Sequence, residues 1–81
     1  MLRITRHLQL ARLEGRLTRH EVGLLREVFR SSTNGIAVVD LTNLAFVDEV
    51  GAAALVDLHR RGLELRGSSP FVRQLLEEVA S

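Results

Sequence analysis

Apolar and polar residues alternate at the start of the chain. Leu2 and Ile4 are interleaved with Arg3 and Thr5, and Leu8 to Leu13 resumes the alternation with a blur at Leu10–Ala11. A period of two is the pattern of a strand with one buried face. Arg6–His7 is expected to turn the chain and Gly15 to interrupt it, giving two strands or one long bent strand. The period then lengthens. Thr18-Arg19-His20-Glu21 reads as a capping box, T-x-x-E, in which threonine and glutamate satisfy each other's backbone N–H groups. Val22, Leu25, Val28 and Phe29 follow at helical spacing, and Ser31 to Gly35 has loop composition.

Ile36 to Leu41 is apolar at successive positions, which predicts a central parallel strand. A short connection, Leu41 to Val47, is expected to lead to Asp48, a good N-cap. The helix Glu49–Arg61 opens with Glu49-Val50-Gly51 and places Ala52, Leu55, Val56 and His59 on one side. Arg60 and Arg61 suit its last turn and Gly62 its C′ position. Leu63 to Arg66 alternates as another strand, adjacent and parallel to the first. In Gly67-Ser68-Ser69-Pro70, Ser69 caps a final helix whose first position is Pro70. Its apolar face is Phe71, Val72, Leu75, Leu76 and Val79. The order β(β)αβαβα predicts an α/β fold: a small parallel or mixed β-sheet with helices packed against it. Residues 1–81 are expected to form one domain.

Composition narrows the chemistry. Hydrophobic residues make up 46% and charged residues 26% of the chain, which fits a globular protein and not a disordered one. The net charge of +1 gives no general attraction to nucleic acid or anionic membrane. All 11 basic side chains are arginine, so amine nucleophiles and a lysine phosphate loop are excluded. The lack of cysteine excludes disulfides and thiolate metal sites. No secretory signal pattern and no spanning-length apolar run is visible, so a cytoplasmic protein without membrane insertion is expected.

Candidate sites are few. Asp48 and Glu49 lie at the start of a helix on the carboxyl side of a strand, where open α/β sheets usually bind their ligands. Both also suit a plain capping role. Asp40 is expected to end a strand and accept hydrogen bonds from loop backbone or an arginine; with Asp48 it makes a weak metal site lacking a third ligand. His7, His20 and His59 lack ligand spacing, and the isolated Gly15 and Gly35 form no nucleotide fingerprint. Arg60, Arg61, Arg66 and Arg73 alternate with Glu64, Glu77 and Glu78, without tyrosine or tryptophan, which reads as a solvated mixed-charge face and not as a nucleic-acid site. No cofactor or metal is expected.

The pattern resembles the STAS domain, the fold of bacterial anti-sigma-factor antagonists. The residues that carry the resemblance are L-E-G-R-L at Leu13 to Leu17, V-V-D-L-T-N-L-A-F-V-D at Val38 to Asp48, Gly51 with Leu55, and G-S-S-P-F-V-R at Gly67 to Arg73. The family's middle motif ends in D-S-S-G, and its first serine is the regulatory phosphorylation site. Here the motif is D-E-V-G: Glu49 replaces that serine and Val50 the second. The resemblance therefore implies a variant without the phosphorylation switch, in which Glu49 is at most a partial phosphate mimic. The family usually continues with a further strand and helix, so the edge at Leu63–Arg66 is expected to be open and to favour a homodimer through that edge or through Phe71, Leu75 and Leu76.

What the resemblance implies is a non-enzymatic protein-interaction module that acts by partner switching. Its partner would be an anti-sigma factor or kinase-like regulator, contacted through Asp48, Glu49 and Val50, with Arg16 and Thr18 as a second contact. The alternative is a STAS subunit of a membrane transporter complex that docks on the transporter ATPase. A minimal α/β hydrolase using Asp40 or Asp48 ranks last, because no base–nucleophile pair is identifiable.

Overall fold

A computed structural model describes residues 1–30 and 35–80. The elements run β1 (Leu2–His7), β2 (Leu10–Leu17), α1 (Val22–Val28), β3 (Val38–Val47), α2 (Glu49–Arg60), β4 (Glu64–Arg66) and α3 (Pro70–Ala80). The expected α/β order is thus present. The loop expected over Ser31 to Gly35 lies, apart from Gly35, outside the described residues.

Among the described residues, four strands form one mixed sheet in the order β1-β2-β3-β4. The first two are an antiparallel hairpin, with Ile4 opposite Leu13 and His7 opposite Leu10. β3 runs parallel to both β2 and β4, with Val38 opposite Glu64 and Asp40 opposite Arg66. This is the adjacency and direction expected for the strands around Ile36–Leu41 and Leu63–Arg66. β4 is a short edge strand, and Glu64 and Arg66 pair along it at 3.0 Å.

One face of the sheet is apolar. Leu2, Ala11, Leu13, Leu17, Val39, Leu41, Leu44 and Val47 are buried there and join one cluster with Leu25 and Phe29, with Ala52, Leu55 and Leu58 of α2, and with Val72 of α3. The alternate positions, Arg3, Thr5, Arg12, Arg16 and Arg66, are exposed. All three helices therefore contribute to a core on one side of the sheet, while the opposite side carries charge.

Several expectations are corrected. The hairpin turns at Leu8–Gln9, not at Arg6–His7, and Leu8 has a φ of 55°. Gly15 lies inside β2 and does not end it. The strand expected over Ile36–Leu41 begins at Val38, and the supposed connection Leu41–Val47 is strand as well. Its burial skips two exposed residues twice, Thr42–Asn43 and Ala45–Phe46, so that Leu41, Leu44 and Val47 reach the core at intervals of three. Pairing shifts occur at the same places, between Arg12 and Glu14 and between Gly15 and Arg16. An extra residue in one strand resets its alternation.

The helix after the capping box starts later than the box implies, at Val22. Thr18 to Glu21 is a turn closed by Glu21 N–H donating to Thr18 O at 2.9 Å. Glu21 does reach back to the Thr18 N–H at 2.9 Å, but the Thr18 hydroxyl donates to that same carboxylate at 2.5 Å. In α2, His59 lies outside the core; its Nδ1 sits 3.1 Å from Leu63 O, and Ala54 and Leu58 continue the buried face instead. Gly62 follows the helix with a φ of 102°, a left-handed conformation that favours glycine. In α3, the Val72 N–H donates to Ser69 Oγ at 3.3 Å, the expected cap. Val72 is buried and Leu75, Leu76 and Val79 pack half-buried against the core, whereas Phe71 stays exposed.

Candidate functional site

Asp48 takes an extended conformation directly after β3, so its side chain folds over the first turn of α2. Oδ1 accepts the Gly51 N–H at 2.7 Å, which is the expected N-cap. Oδ2 accepts the Arg19 N–H at 2.9 Å, across 29 residues of sequence. The Asp48 N–H in turn donates to Leu17 O at 3.2 Å. One aspartate thus ties the start of α2 to the turn after β2. Burial opposes its charge, but the N–H donors of Gly51 and Arg19 prevail and hold its carboxyl below the usual aspartate range. Glu21 is also held low, first by the Thr18 hydroxyl and then by the Thr18 N–H.

The close seat of α2 depends on Gly51. A Cβ on this residue would stand 2.3 Å from Leu17 O and 2.8 Å from Val47 Cγ2. Real Cβ atoms do not approach backbone oxygen so closely, so only glycine lets the helix meet the ends of β2 and β3.

This geometry brings Arg16, Thr18 and Asp48 around one open hollow of about 340 Å³, which Arg19 and Glu21 also line. Glu49 and Val50 are exposed on the next residues of α2 and do not line the hollow. All five residues singled out in the sequence are therefore at or beside one end of the sheet. In the sequence Phe46 reads only as a motif residue and Phe71 as part of the last helix's apolar face and a candidate dimer contact; both are exposed here. Their ring centroids are 6.0 Å apart, with the planes inclined by 21°. The Arg16 guanidinium lies 5.2 Å from the Phe46 centroid, a cation–π distance. Arg19 was also missed, because its contribution to Asp48 is a backbone N–H that no side-chain pattern encodes.

Asp40 corrects its expectation. It sits within β3, on the sheet face away from the core, and does not end the strand in an apolar setting. Its Oδ1 accepts the Thr42 hydroxyl at 2.6 Å and the Thr42 N–H at 3.0 Å, and Arg12 Nε is 3.4 Å from Oδ2. The Thr42 hydroxyl, then its N–H, and the Arg12 charge hold its carboxyl low. The expected backbone and arginine partners are both present. Among the described residues no three His, Asp or Glu side chains gather as a metal site. No helix among them is long and apolar enough to cross a membrane.

No family model and no curated protein matches the chain. Solved structures do match it. The arrangement is the STAS-like α/β fold expected from the sequence, and one solved structure that shares it is that of an anti-sigma factor antagonist. That structure, the anti-sigma factor antagonist SpoIIAA in its unphosphorylated form, aligns with a TM-score of 0.68 over 95% of this chain and 82% of its own. Sequence identity is 17%, so the likeness is one of fold.

Proposed function

We propose that this chain is a protein-interaction module of the anti-sigma-factor-antagonist type and not an enzyme. The observation that supports this most directly is the Asp48 tether, because it assembles the start of α2 and the Thr18–Arg19 turn into one exposed surface. Glu49 and Val50 project from that surface, and Arg16 and Thr18 flank it. The likeness of fold to an anti-sigma factor antagonist agrees with the reading. Its partner is an anti-sigma factor of the serine-kinase kind. With glutamate at position 49 and valine at 50, the module binds without being switched by phosphate at those positions.

Calorimetric titration against the anti-sigma factors of the chain's own host tests the proposal. Glu49→Arg combined with Val50→Arg is expected to weaken the complex at least about tenfold, a change of about 1.4 kcal/mol. Absence of micromolar binding to any of them, or equal binding by the double variant, would defeat the reading. Incubation with the kinase-like partner and ATP is expected to leave residues 49 and 50 unlabelled. Stoichiometric phosphate at Thr42, found by peptide mapping, would reject the unswitched module.

A further inference from the structure

We propose that Phe46, Phe71 and Arg16 form a docking site for a protein segment that carries a carboxylate beside an apolar side chain. The inference rests on the reading of this end of the molecule as a protein-interaction surface and names the chemistry it selects. The chain has three phenylalanines. Phe29 is fully buried, while Phe46 is 36% and Phe71 52% exposed. The two exposed rings come from different elements, β3 and α3, and lie against each other. Together they form one exposed apolar surface that joins the two elements. Contiguous exposed apolar surface marks interaction sites, and aromatic and arginine side chains are enriched at interface centres.

Arg16 adds the charge preference. Arg12, Arg30, Arg61 and Arg66 each pair with a carboxylate of this chain; Arg16 is one of the arginines that form no ion pair among the described residues, and it is the one set against an exposed ring. Its guanidinium lies against the face of Phe46. That contact leaves the donors at the edge of the guanidinium plane available for a carboxylate, which they match in a two-point geometry. Arg16 also lines the hollow beside Arg19. The carboxylates there, Glu21 and Asp48, are already engaged by Thr18, Gly51 and Arg19 within the chain. An incoming carboxylate thus meets Arg16 and Arg19 while its apolar neighbour covers the two rings. An anionic bilayer fits less well, because its many negative charges would face the ionised Glu21, Asp48 and Glu49 together, whereas a single carboxylate can be placed at the arginine side of the hollow.

Selection of short random peptides displayed on phage against the whole chain tests this. Peptides with Asp or Glu next to Phe, Leu or Ile are expected to be enriched. Their affinity should fall about tenfold or more for Arg16→Ala and for Phe71→Ser. Arg16→Glu, at an exposed position, should exchange the acidic preference for Lys- or Arg-bearing peptides while the far-ultraviolet circular dichroism stays unchanged. The proposal is overturned if nothing is enriched, if the enriched peptides lack a carboxylate, or if Arg16→Glu leaves the selection as it was. Binding to phosphatidylglycerol vesicles that Arg16→Glu abolishes, without peptide enrichment, would assign the patch to membranes and also overturn it. Enrichment of acidic-apolar peptides alongside failure of every anti-sigma factor would reject the partner proposed above and retain this site.

Discussion

Gly51→Ala is expected to lower stability by about 2 kcal/mol, even though alanine is the better helix former. Replacing glycine inside a helix normally gains about 0.5–1 kcal/mol. Here the new methyl would meet Leu17 O at 2.3 Å and Val47 Cγ2 at 2.8 Å. Leu17 O is main chain and already accepts the Asp48 N–H, so it cannot move aside without loosening the seat of α2. Overpacking of this kind costs about 1–3 kcal/mol and more when backbone must shift. Gly23→Ala is the control. That glycine is also helical, but a Cβ there would meet nothing within 4 Å. It should stabilise by about 0.5–1 kcal/mol. Thermal melts resolve the contrast, since about 1 kcal/mol moves the midpoint of so small a domain by roughly 4–8 °C. Equal shifts in the two variants would refute the close approach of α2.

Asp48→Ala is expected to remove about 2 kcal/mol and, with it, part of the acid sensitivity of the fold. Loss of an N-cap alone costs about 0.5–2 kcal/mol, and the Arg19 N–H loses its acceptor in the same step. The pH dependence follows from the direction of the shift. The Asp48 carboxyl is held below its ordinary value in the folded chain. Its contribution is therefore complete above the unfolded value of about pH 4 and is lost as the pH falls through the lower, folded value. Asp40 and Glu21 are shifted in the same direction and add to the same acid-side loss. Urea midpoints at pH 7 and pH 3 measure it: the gap between wild type and Asp48→Ala should narrow at the lower pH. An unchanged gap would mean that the carboxylate is not what joins α2 to the Arg19 turn.

Besides the parallel pairing of β3 with β4, the parts of the fold that were legible in the sequence are those where one local rule acts alone. Asp48 as N-cap, Gly62 after α2, and Ser69-Pro70 at the start of α3 each depend on residues within one turn. Most of the parts that were not legible depend on partners distant in sequence; the Thr18–Glu21 turn is a local exception. Leu41 to Val47 reads as a connection because Thr42–Asn43 and Ala45–Phe46 break the alternation; only pairing with β2 reveals the extra residues that keep it a strand. Thr18–Glu21 has the letters of a capping box, yet the Thr18 hydroxyl goes to the glutamate itself and the helix begins after it. At the candidate site, the acids were visible as a motif. The stacking of Phe46 on Phe71 was not, because the two rings come from elements distant in sequence. Apolar identity alone does not distinguish a ring that faces the core from one that faces water.

The Asp48 tether also bears on how a partner would be met. Two pieces of surface, one on the turn at Arg19 and one on α2, are held together before any encounter. The ordering that would otherwise accompany complex formation has then already taken place during folding. Association with such a pre-assembled face behaves as rigid docking, with little conformational entropy lost on this side of the complex. Variation in affinity among related partners would consequently arise in how long they stay, not in how fast they arrive.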